Sequence, residues 1–391
     1  MGKRRICVLT GTRAEYGLLS GLIKELQKNN AMSMQLIATG MHLSPEFGLT
    51  RREIEEDGFS IDEAVEMLVS SDTPVGIAKS MGLGTIGFAD ALHRLQPDVL
   101  VLLGDRFEIL AAAQAALVAR IPIAHIGGGE TTEGAIDESI RHSVSKMAHY
   151  HFVAADPFRK RVVQLGEAPE RVFDVGALGL DHLRRTEPLD QVSFEQSIGF
   201  PLGDPTFLIT YHPATLQADS PVKSLEELLQ ALDAFPDAHL IFTKSNADAD
   251  GRAINERIEA FVEAHSERAR VFTSLGQRRY ASALHHVDLV LGNSSSGIIE
   301  APAIPVPTVN VGSRQQGRLR APSVIDCDDD ADAIIGAIKT ALSVPFQKKI
   351  NDVTSPYGDG RAAPRICRYL KHVPLDQPMK SFHDLDVHRN D

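Results

Sequence analysis

The chain has 391 residues, 43% hydrophobic and 24% charged, enough for two globular domains with separate cores. A net charge of -12 and a pI near 5.7 exclude nucleic acid or an anionic membrane surface as the main partner. A phosphorylated ligand would have to be held by locally basic groups. Cys7, Cys327 and Cys367 are scattered, form no disulfide framework or zinc spacing, and fit a reducing cytoplasm. No apolar run reaches transmembrane length, and residues 6–10 are too short an apolar run for a signal peptide.

In chain order, strand, loop and helix repeat. Residues 5–10 read as a strand, 11–17 as a loop and 18–27 as a helix with Leu18, Leu19, Leu22, Ile23 and Leu26 on one face. A strand at 34–39, an irregular stretch at 40–59 and a largely helical stretch at 74–95 follow. Strands are then expected at 98–103, 122–126, 150–154 and 172–175, with helices at 109–118, 135–148 and 157–165. Residues 186–205, polar and carrying Pro188, Pro201 and Pro205, read as a linker. The alternation restarts with strands at 207–211, 238–243, 271–273, 286–291 and 306–311 and helices between them. A helix at 361–370 and a polar tail close the chain. Such alternation implies parallel sheets covered on both faces. The economical architecture is α/β, two Rossmann-like domains facing a central cleft, with ligands outside the carboxyl ends of the strands. The expected division is 1–185, 186–360, and a helix and tail at 361–391.

The informative loops fall at strand ends. Gly11-Thr-Arg-Ala-Glu-Tyr-Gly17 is no dinucleotide fingerprint, but Arg13 suits a diphosphate; an Arg13–Glu15 surface pair is the alternative. In Gly104-Asp-Arg-Phe-Glu108, Asp105 beside Arg106 is a candidate acid or base, or else the cap of the next helix. Gly127-Gly-Gly-Glu130 leads towards Glu133 and Asp137; three glycines allow close backbone approach to a ligand, and the carboxylates suggest proton transfer. In the following helix Ile136, Ile140, Val144 and Met147 make an apolar stripe, and Asp137–Arg141 and Glu138–His142 are pairs four apart. His149 and His151 lack a third ligand for a metal.

In the second half, His212 ends one strand, Lys244 and Asn246 another, and Arg314 and Arg318 lie in a loop after a third. Together they make this part locally basic. Gly292-Asn-Ser-Ser-Ser-Gly297 links a buried strand to a short helix, whose capped start is a seat for phosphate. Gly297 leaves room for close approach, and Glu300 could accept hydrogen bonds from ribose hydroxyls; a solvated Glu on an ordinary capped helix is the alternative.

Five motifs taken together resemble the sugar-nucleotide 2-epimerases, and among them the hydrolysing branch. They are Gly-Thr-Arg-Ala-Glu-Tyr at 11–16, Gly-Asp-Arg-Phe-Glu at 104–108, Gly-Gly-Glu through Ile-Asp-Glu-Ser-Ile-Arg-His at 128–142, Tyr-His-Pro-Ala-Thr at 211–215 and Gly-Asn-Ser-Ser-Ser-Gly at 292–297. Non-hydrolysing relatives usually continue Gly-Thr-Arg with Pro-Glu and carry Thr or Ser after the Gly-Asp, where this chain has Asp105-Arg106. The resemblance implies the GT-B glycosyltransferase fold, with a C-terminal helix crossing back to the first domain.

It also implies a UDP-sugar substrate. Ser294, Ser295 and Gly297 would hold the diphosphate, Glu300 the ribose, and His212, Arg314 and Arg13 the phosphates, with Lys244 and Asn246 nearby. Asp105, Glu130, Asp137 and Arg106 would carry out C2 deprotonation, UDP elimination to a 2-acetamidoglucal, and hydration. Some hydrolysing relatives have a Glu at the position of Gly127, and the spacing to the Asp here is one residue longer, which leaves Glu130 to take over that role. No metal or redox cofactor is implied, and homo-oligomers (dimers or tetramers) are common in the family.

The leading expectation is release of N-acetylmannosamine from UDP-N-acetylglucosamine for sialic-acid-type synthesis. The alternative within the family is UDP-2,4-diacetamido-2,4,6-trideoxyglucose, for legionaminic-acid-type synthesis. A GT-B glycosyltransferase would need an acceptor groove. A sugar-nucleotide sensor would not need Asp105, Glu130 and Asp137.

Overall fold

The computed structural model describes residues 2–69, 71, 73–131, 136–212, 221–244, 251–351, 353–375 and 379–385. The chain divides into two compact units, Met1–Asp181 with Gly360–Asp391, and His182–Asp359.

Among the described residues the first unit carries seven strands: β1 (Arg4–Thr10), β2 (Met32–Thr39), β3 (Glu63–Val65), β4 (Val99–Leu103), β5 (Ile123–Ile126), β6 (Tyr150–Val153) and β7 (Val172–Asp174). They pair in parallel in the order β3-β2-β1-β4-β5-β6-β7. β4 is Val-Leu-Val-Leu-Leu and wholly buried, because alternate side chains enter different cores. Val99 and Val101 join Ile6, Val8, Leu22 and Ile366, whereas Leu100 and Leu102 join Cys7, Leu9 and Ile109. Chain order reverses between β1 and β4, so their carboxyl ends flank a topological switch point.

The helix Ala362–His372 packs in the first unit and is tied at both ends. The Asp181 carboxylate accepts from the Ala362 and Ala363 amides, both at 2.7 Å, where a helix start leaves donors unpaired. At the other end the Arg4 guanidinium donates to the carbonyls of Leu370 and Val373, at 3.0 and 2.7 Å.

The second unit repeats the scheme with β8 (Thr206–Thr210), β9 (His239–Thr243), β10 (Ala269–Phe272), β11 (Leu289–Gly292), β12 (Thr308–Val311) and β13 (Val324–Cys327). Its parallel order is β10-β9-β8-β11-β12-β13, with the switch between β8 and β11.

Several expectations need correction. Residues 186–205 are not a plain linker: Gln191–Ile198 is a helix. Asp190 caps it through the Ser193 amide at 2.9 Å, and it buries Phe194 and Ile198. The short outer strands β3 and β13 were not expected. Ile136 leaves the apolar stripe, being 74% exposed in the first helical turn, and Leu18 is likewise exposed on its helix.

Candidate active site

In the first unit the loops after β1, β4 and β5 hold the candidate groups. Asp105 does not cap the helix Phe107–Val118, whose N-cap is Arg106 without a side-chain bond. Its carboxylate pairs with Arg141 of the helix Ile136–Met147. Arg141 is buried and also donates to Glu138 Oε2 at 2.8 Å and to the Glu130 carbonyl at 3.0 Å. The expected Asp137–Arg141 side-chain pair is thus replaced by bonds to Asp105 and Glu138, while Glu138–His142 forms at 3.0 Å. One guanidinium therefore ties the β4 loop, the β5 loop and the helix together, using the fork of donors that lysine lacks.

Asp137 has its pKa raised, first by burial and then by the negative charge of Asp105. Arg106 acts on Asp137 in the opposite sense. Arg106 is itself held by the wholly buried Glu108, at 3.1 and 3.2 Å. Glu15 is not a surface partner of Arg13. It is buried, closes a capping box on the Gly11 and Thr12 amides at 2.7 and 3.2 Å, and is raised to about 7 by burial. The largely exposed Arg13 pairs with Glu53 at 3.0 Å instead.

Packing requires glycine at two positions of the run. A Cβ on Gly128 would stand 2.8 Å from Ser145 Oγ, and one on Gly129 would stand 2.3 Å from the Phe158 carbonyl oxygen. His151 and Glu167, both buried, pair at 3.1 Å.

In the second unit Asn293 bridges the switch point. Its Oδ1 accepts from the His212 amide at 2.7 Å and its Nδ2 donates to the His212 carbonyl at 2.8 Å. The Asn293 carbonyl accepts from Arg314 at 3.1 Å and from Gln315 at 2.8 Å. These bonds bring His212, Asn293 and Arg314 together at the carboxyl ends of β8 and β11. Ser294 caps the helix Ser295–Ile299, and Ser295 opens it. A Cβ on Gly297 would lie 2.8 Å from Thr308 Cγ2, so this glycine lets the helix pack close to β12.

Glu300 ends that helix and is not a solvated side chain. Burial raises its pKa, and a hydrogen bond from Ser296 opposes the rise. Ser296 also bonds the hydroxyl of Tyr280, from the helix Gly276–His286. Lys244 pairs with Glu259. Asn246 and Glu133 lie outside the described residues.

Glu108, Arg141, Tyr280 and Gln315 escaped the reading of the sequence as site-building residues. Glu108 and Arg141 stand inside motifs that were noticed, and Gln315 directly follows Arg314 in a loop that was noticed; nothing local marks Tyr280.

The fold and these loops define a sugar-nucleotide enzyme class, and the relatives agree. The profile of the UDP-N-acetylglucosamine 2-epimerase family matches residues 24–371. The chain is 42% identical to the GDP/UDP-N,N'-diacetylbacillosamine 2-epimerase (hydrolyzing) of Campylobacter jejuni, covering 98% of this chain and all of the relative. It is 38% identical to the UDP-N,N'-diacetylbacillosamine 2-epimerase (hydrolyzing) of Legionella pneumophila, covering 95% and 97%. It is 33% identical to the polysialic acid biosynthesis protein P7 of Escherichia coli, covering 98% of each. A crystal structure from Listeria monocytogenes, described as a UDP-N-acetylglucosamine 2-epimerase, matches the fold with a TM-score of 0.80 at 20% identity, covering 95% and 96%. The chain belongs to the UDP-N-acetylglucosamine 2-epimerase family, on its hydrolysing branch, and is a hydrolysing UDP-sugar 2-epimerase of GT-B type.

Proposed function

We propose that the protein converts UDP-2,4-diacetamido-2,4,6-trideoxyglucose and water to 2,4-diacetamido-2,4,6-trideoxymannose and UDP. Substrate choice rests on the ordering of relatives. Those named for N,N'-diacetylbacillosamine are 42% and 38% identical, against 33% for the polysialic acid protein and 30% for the UDP-N-acetylglucosamine 2-epimerase of Neisseria meningitidis.

The proton chemistry rests on Asp105 and Asp137 lying close enough for the charge of one to raise the pKa of the other. Asp105, held by its pair with Arg141, takes the C2 proton. The C1–O bond to UDP breaks, its electron pair leaves with the diphosphate, and a C1–C2 double bond forms. Asp137, which holds a proton more readily than an ordinary Asp, delivers one to the opposite face of C2. As the double-bond electrons pass to that proton, Glu130 takes a proton from water and the water oxygen bonds to C1. Arg106, fixed by Glu108, offsets the negative charge that builds up as C2 is deprotonated.

The diphosphate is assigned to His212, Arg314, Ser294, Ser295 and Gly297 of the second unit, and the ribose to Glu300. Lys244 exchanges its present partner Glu259 for a phosphate oxygen. Asn246 is assigned to the same ligand.

The test is steady-state UDP release with both nucleotide sugars. The proposal expects kcat/KM to favour the diacetamido substrate by about 100-fold, the scale at which a pocket separates analogues that differ in a few atoms. A preference for UDP-N-acetylglucosamine would return the protein to the sialic-acid-type reading, in line with the E. coli relative named for polysialic acid biosynthesis.

A further inference from the structure

A cavity of about 790 Å³ opens at the carboxyl ends of β2, β3 and β4, within the first unit. Its size is that of a small-molecule site. Arg106, Phe107 and Glu108 line it, so it adjoins the residue whose charge acts on Asp137. Much of its wall is apolar: Met41, Leu43, Phe47, Met67, Val69 and Phe107.

Two of its hydroxyls already have partners in the protein. Ser71 Oγ bonds Thr73 Oγ1 at 2.9 Å, and Ser80 Oγ accepts from the Val69 amide at 3.1 Å. The carboxylates of Glu46 and Glu66, on exposed residues, are acceptors suited to an amide N–H.

In a pyranose, C4 and C6 lie across the ring from C1 and C2. A sugar whose C2 meets Asp105 and Asp137 therefore turns those substituents away from the carboxylates. We propose that this cavity receives the C4 acetamido and C6 methyl groups of the sugar and so sets substrate choice, an inference that rests on the diacetamido reading above. An apolar wall takes the acetyl and C6 methyl groups from water. Where a C6 hydroxyl would face that apolar wall rather than the two carboxylates, it would lose its water partners without replacement, which is costly.

The experiment measures kcat/KM for both nucleotide sugars in the wild type, Val69→Phe and Phe47→Ala. Val69→Phe fills space beside a half-buried residue; Phe47 is 44% exposed, so its truncation leaves folding intact even if the first variant unfolds in a thermal melt. Each variant should lower kcat/KM for the diacetamido substrate by about tenfold or more, the value of a lost methylene-scale contact, with a much smaller change for UDP-N-acetylglucosamine. An equal fall for both sugars would instead place the shared C2 acetamido group or another common part in the cavity, and no change in either variant would empty it of substrate; both results overturn the inference. A wild type inactive on the diacetamido sugar fails earlier, at the proposed function, and takes the inference with it.

Discussion

His125 Nε2 lies 2.7 Å from the carbonyl oxygen of Gly104, one residue ahead of Asp105. A carbonyl only accepts, so Nε2 carries the proton and Nδ1 accepts from Ser145 Oγ at 3.0 Å. The ring is fully buried, and burial lowers its pKa to about 3, so it stays neutral in any ordinary assay. His125 thus acts as a positioning residue for the Gly104 turn, whose φ of +81° presents Asp105.

His125→Asn loses the long reach to Gly104. It should lower kcat by about 10- to 100-fold, the cost of a displacement near 1 Å, with KM little changed. Because the neutral ring takes no part in titration, the ratio of variant to wild-type kcat should be constant from about pH 5 to 9. Steady-state kinetics across that range check both. A ratio that tracks a histidine titration would make the ring a proton carrier instead.

Arg141→Lys keeps the charge but cannot serve Asp105, Glu138 and the Glu130 carbonyl together. Stability should fall by about 1–3 kcal/mol, the cost of a buried polar group left unpaired. Turnover should fall further than that loss alone explains, because the β4 and β5 loops separate. Urea unfolding and kcat on the folded fraction check the two parts.

Tyr280 reaches Glu300 through Ser296. Glu300→Ala should weaken UDP binding by about tenfold, in line with one charge-assisted hydrogen bond. Tyr280→Phe should weaken it less, since Ser296 can still bond the carboxylate. Calorimetric titration with UDP decides; unchanged affinity in Glu300→Ala would remove the ribose assignment.

Much of this site could be read from the chain because apolar strands end abruptly in Gly-led polar loops. β4 into Gly104-Asp105 and β11 into Gly292-Asn293 are the clearest, and both flank a switch point. What could not be read depends on distant partners. The i to i+4 rule assigns Arg141 to Asp137, but Asp105, 36 positions away, takes it. Nothing local shows that Ser145 and Phe158 lie where a Cβ on Gly128 or Gly129 would stand. The helix Gln191–Ile198 was hidden by flanking prolines, although Asp190, its cap, was in view. β3 and β13 are short, partly exposed outer strands whose ladder partners lie far off in sequence.

Glu167 shows how pH bears on the first unit. Burial would raise its pKa, but hydrogen bonds from His151, Lys146 and Lys380 outweigh burial and bring it to about 2. A carboxylate lowered on folding contributes stability above its unfolded value, near 4.5, and loses it as pH falls towards 2. Glu167→Gln should therefore cost about 2–3 kcal/mol at pH 7. The difference from wild type should shrink steadily below pH 4.5. Unfolding curves at a series of pH values check this, and a difference that is independent of pH would show that the charge plays no part.

The central claim is that carboxylates remove the C2 proton, eliminate UDP and hydrate the product. Proton NMR of the wild type and Asp105→Asn with UDP-2,4-diacetamido-2,4,6-trideoxyglucose in D2O tests it most directly. The account predicts free UDP and a 2-epimerised free sugar carrying deuterium at C2 with the wild type. With Asp105→Asn it predicts neither, although that variant still binds UDP. A released sugar that keeps its C2 proton, or full turnover by Asp105→Asn, would contradict it.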